Sequence, residues 1–159
     1  MKYIVLCLLL FSLSHAVGFT ELRYSDAFGK TKKLFGDISF SKYGVTINYK
    51  DVNKSIVYND GELEIYDNKK QIQLNEYQKE RMGAFFDILI LIHSNDAREI
   101  KENFDVVDKG SVETLFPKDD IKEYLKKIEL KREEDGFSYI KLFFNNNDTI
   151  EIKLDNEVH

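Results

Sequence analysis

The residue types that carry covalent and metal chemistry are scarce in this chain. Its one cysteine, Cys7, and the first of its three histidines, His15, both lie within residues 1–16. Beyond that segment only His93 and His159 remain, so neither a Cys–His nucleophile pair nor a thiolate metal site can form. A Gly-x-Ser-x-Gly motif and a phosphate-binding glycine loop are also absent from the sequence. We therefore predict that the protein is not an enzyme and has no cofactor and no metal site.

The remaining titratable groups favour structural roles. His93 closes an apolar run, where a histidine at a helix C-terminus is more typical than a general base. The acidic residues at 118–120 and 133–135 have lysines and an arginine close by in the sequence, which favours a solvated surface over a catalytic carboxylate pair. We therefore predict no catalytic site in which a nucleophile lies beside a general base.

Residues 1–16 have the three-part plan of a secretory signal. Lys2 precedes an apolar stretch from Tyr3 to Leu13, and the small residues Ser14 and Ala16 follow. A transmembrane anchor is the alternative, but the apolar part is short for one. We predict cleavage after Ala16, which leaves residues 17–159 as a single exported domain without a lipid-anchoring cysteine.

The charge of the chain limits its partners. The formal net charge is -5 at pH 7, and no basic cluster is interleaved with stacking aromatic residues. Nucleic acid and anionic membrane surfaces are therefore poor partner candidates on sequence grounds.

Alternation of apolar and polar residues predicts strands in two regions of the chain. The alternation covers residues 34–76 and returns over 126–154, with turn signals at Asp60-Gly61 and Asp135-Gly136. Shorter strands are predicted at 104–108 and 111–116. The close spacing of the turns predicts about nine strands with antiparallel neighbours.

Helices are predicted between these regions. Residues 75–94 are rich in helix formers, and residues 95–104 follow with Asn95 or Asp96 as N-cap. A third, short helix is predicted at 119–125. The fold class is therefore α+β.

The run "GAFFDILILIH" at 83–93 is unusually apolar for a chain whose charged fraction is 32%. It is too short to span a membrane, for which about 20 apolar residues are needed. On a helix, however, its apolar surface exceeds the stripe of about 100° that a surface helix needs. The run is either an ordinary core helix or a wall of an apolar cavity.

Several short motifs occur in an order that matches a known family. From residue 40 to residue 71 they are Phe40, Gly44, Tyr49, Asp60, Gly61, Tyr66, Asp67 and Gln71. An apolar helix, a small helix ending in Asn-Phe, a strand, "LFPK" and three final strands follow. Over residues 34–154 the chain resembles the periplasmic lipoprotein carrier family, the LolA-like proteins.

The resemblance implies both a fold and a function. The fold is a curved antiparallel sheet forming a half-open barrel, with short helices as a lid. The function is that of a monomeric periplasmic carrier, which binds acyl chains of lipoproteins in a hydrophobic cavity and takes them from the inner to the outer membrane. The implied partners are acylated lipoproteins or lipids, an inner-membrane lipoprotein-releasing transporter and an outer-membrane acceptor. A carrier of another lipid or glycolipid, or a lipid-sensing regulatory protein on the same barrel, is the alternative.

The resemblance also implies site residues. We expect acyl chains to contact eight apolar and aromatic side chains: Phe40, Ile47, Tyr49, Ile65, Phe85, Phe86, Leu89 and Ile92. Lys42-Tyr43 stands where the family has Arg-Pro, so Lys42 is expected to take the place of the arginine that latches the lid. A lysine keeps that charge but lacks the planar set of donors.

Overall fold

Eleven strands form one antiparallel sheet in the computed structural model, which describes residues 15–155. Residues 1–14 of the predicted signal peptide and His159 lie outside the described residues. The strands are β1 (Val17–Ser25), β2 (Lys30–Phe40), β3 (Gly44–Tyr49), β4 (Lys54–Asn59), β5 (Glu62–Asp67), β6 (Lys70–Gln71), β7 (Phe104–Asp108), β8 (Glu113–Pro117), β9 (Leu125–Glu133), β10 (Gly136–Phe144) and β11 (Thr149–Leu154).

The sheet consists of two meanders that meet at β1 and β11. The strand order is β6-β5-β4-β3-β2-β1-β11-β10-β9-β8-β7, and every neighbouring pair is antiparallel. Among residues 15–155, β6 and β7 are the edge strands and do not pair with each other, so the sheet formed by these residues does not close into a complete barrel. The predicted fold class, an α+β half-open antiparallel barrel with short helices, is confirmed.

Alternating burial explains why these segments are strands. In β3, Val45, Ile47 and Tyr49 are buried on one face, as the period of two requires. Two details differ from the prediction. The chain has an additional strand, β1. The alternation predicts strand as far as residue 76, but the last strand of this region, β6, ends at Gln71, because the chain leaves the sheet there to reach the N-cap of the first helix at Asn75.

Local capping sets the helix boundaries. Helix α1 (Glu76–Ser94) starts with a capping box, in which Asn75 accepts from the backbone N–H of Gln78 and the Gln78 side chain accepts from that of Asn75. Helix α2 (Ala97–Asn103) is capped by Asp96, and a 3₁₀ helix covers Asp119–Glu123. The helices predicted over 75–94 and 95–104 are confirmed to within two residues.

The two ends of the sheet differ in what lies beside them. Turns 26–29, 50–53, 68–69 and 145–148 lie at one end, which also holds the 3₁₀ helix and which we call the mouth end. Turns 41–43, 60–61 and 134–135 lie at the opposite end. Helix α1 crosses the concave face and ends at that opposite end, where His93 stacks on Phe40 with 3.9 Å between ring centroids.

Candidate functional site

A cavity of about 790 Å³ lies between α1 and the concave face of the sheet, towards the mouth end. Its sheet wall comes from five strands, β1, β3, β4, β10 and β11. The apolar side chains of that wall are Ile47, Ile56, Leu142, Phe144, Ile150 and Ile152. A volume of this size lies within the range of roughly 300–1,000 Å³ that is usual for ligand sites.

Helix α1 supplies the opposite wall of the cavity. Tyr77, Arg81, Ala84, Phe85 and Ile88 recur at helical spacing and line the cavity along one stripe. Leu89 and Ile92 lie further along the helix, beyond the residues that line the cavity, and are fully buried in the core. The unusually broad apolar surface of this helix therefore serves two purposes, because its mouth-end part lines the cavity and the part towards the opposite end packs on the sheet.

Three polar side chains interrupt the apolar sheet wall. Glu21 is only 1% exposed and forms an ion pair with Arg23. The Tyr49 hydroxyl donates to Glu21 Oε2 at 2.7 Å and accepts from Arg23 Nη2 at 2.9 Å. Within this cluster the carboxylate of Glu21 balances the guanidinium of Arg23, so the cavity wall carries hydrogen-bonding groups without an unbalanced charge.

Electrostatics in this cluster follow from burial and from the Glu21 carboxylate. Burial raises the pKa of Tyr49 far above its usual value, and the negative charge of Glu21 adds to the effect. Burial by itself lowers the pKa of Arg23, but the attraction and hydrogen bond of Glu21 outweigh it and leave that pKa raised. The tyrosine therefore stays neutral and the arginine charged at every physiological pH.

Polar and aromatic side chains surround the mouth of the cavity. Tyr77 and Arg81 of α1 face Asp120, Glu123 and Tyr124 across it, and Arg81 Nη1 donates to the Tyr77 hydroxyl at 2.6 Å. The mouth is thus amphipathic, whereas the interior behind it is mainly apolar.

A partly buried hydrogen bond holds α1 against the sheet beside the cavity. The Tyr58 hydroxyl on β4 donates to Asp87 Oδ1 at 2.5 Å. Burial and this bond raise the pKa of Tyr58. Gly83 lies against the same ring, because a Cβ added there would be 3.6 Å from it. The helix therefore has a specific polar contact with β4 as well as apolar packing.

The structure brings four of the eight predicted acyl-binding residues to the cavity. Ile47, Tyr49, Phe85 and Phe86 line it. The others are placed elsewhere: Ile65, Leu89 and Ile92 belong to the buried core, and Phe40 stacks on His93 at the opposite end. That any of the eight binds lipid stays a prediction.

Lys42 lies at the opposite end from the mouth. Its side chain is exposed, and its ammonium lies 4.8 Å from the centroid of the Tyr43 ring. The contact with Tyr43 raises the pKa of Lys42. Among the hydrogen bonds formed within residues 15–155, none joins Lys42 to a carbonyl of α1. The latch role stays a prediction that this geometry does not support.

Sequence reasoning missed the polar cluster of the cavity wall. Glu21 and Arg23 lie on β1, which precedes the alternating region at residues 34–76. The pattern "FTELR" contains the signal, since Phe19, Glu21 and Arg23 share one face of a strand by the period of two. An acid and a base two residues apart beside a buried aromatic residue predict an ion pair within the sheet wall.

A smaller pocket of about 440 Å³ lies at the opposite end, beside His93. His93 Nδ1 is buried there without a hydrogen-bond partner, and a Cβ at Gly136 would lie 2.4 Å from it. The charged groups that line this pocket are Lys42, Glu134 and Asp135. Burial lowers the pKa of His93, and the Asp135 carboxylate opposes this shift only in part.

This lowered pKa predicts a pH dependence of stability. Because the unfolded chain takes up the proton first, the contribution of His93 is fully present above its unfolded pKa of about 6.5 and is lost as the pH falls through the folded pKa. Replacing His93 with glutamine is expected to reduce the loss of unfolding free energy between about pH 8 and about pH 5, as measured by urea denaturation. An equal loss in the parent and the variant would contradict this assignment.

Two further properties concern the part of the chain that the structure describes. Across residues 15–155, no group of three or more His, Cys, Asp or Glu side chains is arranged to hold a metal ion. No helix in the same residues has the length and apolar character needed to cross a bilayer.

Comparison with known proteins finds a similar solved structure but no matching family. No family model matches the sequence, and no curated protein matches it either. Among solved structures, the chain is similar to a LolA superfamily protein from Nitrosomonas europaea, with a TM-score of 0.43 and 6% identity, over 91% of this chain and 86% of that one. This likeness assigns neither a family nor a ligand to the chain.

Proposed function

We propose that this protein is a non-enzymatic carrier that holds the acyl chains of a lipid, or of a lipid-anchored protein, in the cavity beneath α1. The observation that carries the proposal is the cavity of about 790 Å³, with Phe85 and Ile88 of the helix on one side and the apolar sheet wall on the other. Each CH₂ group that moves from water into such a site contributes about 0.8 kcal/mol. Acyl chains therefore bind there without a specific polar contact.

The polar cluster favours one kind of head group next to the chains. The Arg23 side chain is 43% exposed and lines the cavity, but Glu21 already balances its charge. An ester or amide oxygen gains a hydrogen bond from the guanidinium without bringing a second negative charge towards Glu21. Acyl esters and amides are therefore better ligands for this cavity than free carboxylates.

The location and partners of the carrier follow from the same proposal. A carrier of acylated proteins works between two membranes, which is consistent with the predicted signal at residues 1–16. It requires a transporter that releases the cargo at the inner membrane and an acceptor at the outer membrane. Identifying the molecules that copurify with the protein, by lipid extraction and mass spectrometry, distinguishes lipoprotein cargo from a free lipid.

Filling the cavity tests the proposal directly. Ala84 lines the cavity on α1, so Ala84→Trp is expected to lower the affinity for a fluorescent acyl-ester probe at least tenfold, because the indole occupies the volume that the chain needs. The measurement is a probe titration in solution without vesicles.

A matched substitution controls for the added tryptophan. Ala97 is exposed at the start of α2, and Ala97→Trp is expected to leave probe affinity unchanged. If the two variants bind the probe equally well, while circular dichroism shows both folded, the cavity does not hold acyl chains and the carrier proposal is wrong.

A further inference from the structure

The hairpin that joins β1 to β2 has an exposed aromatic tip. Phe28 is 77% exposed, which is the largest exposure among the large apolar residues of the described chain. Gly29 completes the turn with φ +56, and its backbone N–H donates to the Asp26 carbonyl at 3.2 Å. An aromatic side chain held outward on a tight turn has no packing function within the chain.

Lysines follow this tip along β2. Lys30, Lys32 and Lys33 are exposed, and residues 28–33 contain no acidic side chain. Lys33 lies over the ring of Phe35, which is itself 43% exposed, with 4.9 Å from Nζ to the ring centroid. Residues 28–35 therefore form a local basic and aromatic cluster in a chain whose net charge is -5, so the prediction that no such cluster exists is wrong.

The register places part of this cluster on the face that leads into the cavity. Arg23 pairs with Lys32, and Ser25 pairs with Lys30. Cross-strand partners point to the same face of a sheet, so Lys32 and Lys30 continue the row that begins at Arg23 in the cavity wall. A basic row thus runs from the cavity to the hairpin tip.

Hydrogen bonds hold the tip at the mouth of the cavity. The backbone N–H of Asp26 donates to Asp148 Oδ1 at 2.8 Å. The neighbouring Asn145 donates to the carbonyls of Lys122 and Glu123, next to the side chains that surround the mouth. The tip therefore has a defined position relative to the mouth.

Charge is distributed unequally between the two ends of the sheet. Taken together, the mouth-end segments 26–33, 50–54, 67–70, 118–126 and 145–148 contain ten lysines and seven acidic residues, and the excess of lysine comes from the first three. At the opposite end, segments 41–43, 60–62, 108–112 and 133–135 together contain six acidic residues and two lysines, and the excess of acid comes from 60–62 and 133–135. A negatively charged surface therefore attracts the mouth end and repels the other.

We infer that the β1–β2 hairpin docks the mouth of the cavity on an anionic lipid bilayer, with Phe28 entering the interface and Lys30, Lys32 and Lys33 contacting lipid phosphates. An aromatic residue beside lysines suits the boundary between head groups and acyl chains. This inference rests on the proposed carrier function for its purpose, because docking brings the cavity to the lipid phase. The physical claim of bilayer binding is separate from probe binding in the cavity.

Vesicle cosedimentation tests the inference. The parent chain is expected to bind phosphatidylcholine vesicles more tightly when they contain phosphatidylglycerol, and less so at high salt. Each lysine near an anionic surface contributes a factor of about five, so Lys30, Lys32 and Lys33 changed together to glutamine are expected to lose roughly a hundredfold of that affinity. Phe28→Ser is expected to lose severalfold on both kinds of vesicle. Residues 1–16 are the same in every variant, so their own affinity for lipid cancels.

Control variants at the opposite end show whether a loss of vesicle binding is specific to the hairpin. Tyr43 is 58% exposed beside Lys42, so Tyr43→Ser and Lys42→Gln remove similar groups far from the mouth and are expected to bind vesicles like the parent. Equal losses at both ends, or no preference of the parent for anionic vesicles, overturn the inference. Hairpin variants that keep vesicle binding but lose a copurifying protein overturn it too, since the hairpin then docks a protein. The hairpin variants are expected to bind the acyl-ester probe like the parent when no vesicles are present. A parent chain that does not bind this probe would contradict the carrier proposal but not the inference about bilayer binding.

Discussion

Leu89→Asp is expected to prevent folding of this protein. Leu89 is 0% exposed in the core between α1 and the sheet, and it does not line the cavity. An aspartate there must either keep an unpaired charge in an apolar environment or take up a proton, and it also loses the packing of the leucine. The loss is expected to exceed about 5 kcal/mol, which is comparable with the whole stability of a small domain. Far-ultraviolet circular dichroism and urea denaturation measure it.

The matched substitution is Phe85→Asp, four residues earlier on the same helix. Phe85 is partly buried and lines the cavity, so an aspartate there can remain hydrated. This variant is expected to fold and to lose most of its affinity for the acyl-ester probe. A folded Leu89→Asp variant with a selective binding defect would show instead that Leu89 faces the ligand, and that the boundary between core and cavity lies elsewhere on the helix.

This contrast illustrates how far the sequence determines the site. Apolar alternation predicts β3 and β4 correctly because burial on one face is a local pattern, and the capping box of Asn75 and Gln78 is local as well. How far along α1 the cavity extends is not a local property. It depends on the position of the helix across the concave face, where Tyr58 bonds to Asp87. For this reason Phe85 and Leu89 are indistinguishable in the sequence and different in the structure.

The polar cluster in the cavity wall is not predictable from the sequence for a related reason. Tyr49 was predicted as an acyl-binding residue, but its partners Glu21 and Arg23 come from β1, which is 28 and 26 residues away along the chain. They meet because β2 lies between β1 and β3, with Gly36 opposite both Phe19 and Tyr49. A Cβ at Gly36 would lie 2.9 Å from the Phe19 ring, so this glycine allows the two aromatic rings to approach. Such a three-strand arrangement follows from register and not from composition.

Arg23→Met is expected to destabilise the protein strongly even though Arg23 itself is partly exposed. Removing the guanidinium leaves the Glu21 carboxylate, 1% exposed, with the Tyr49 hydroxyl as its remaining partner in the cluster. Breaking a fully buried ion pair from one side costs about 3–5 kcal/mol. Because the Arg23 side chain is 43% exposed and partly screened by solvent, we expect about 2–3 kcal/mol here. The free energy of unfolding from urea denaturation at neutral pH measures the change.

The double variant decides whether this loss comes from a buried charge or from lost packing. Glu21→Leu together with Arg23→Met removes both charges and leaves apolar side chains of similar size, the first of them beside Leu34, the cross-strand partner of position 21. If the charge dominates, the double variant is more stable than Arg23→Met and approaches the parent. The cavity then loses the guanidinium that donates to an ester oxygen, so affinity for an acyl-ester probe is expected to fall more than affinity for an alkane of equal length. A double variant as unstable as Arg23→Met would mean that the arginine stem, and not its charge, supports the wall. In that case the preference for esters over free carboxylates loses its physical basis.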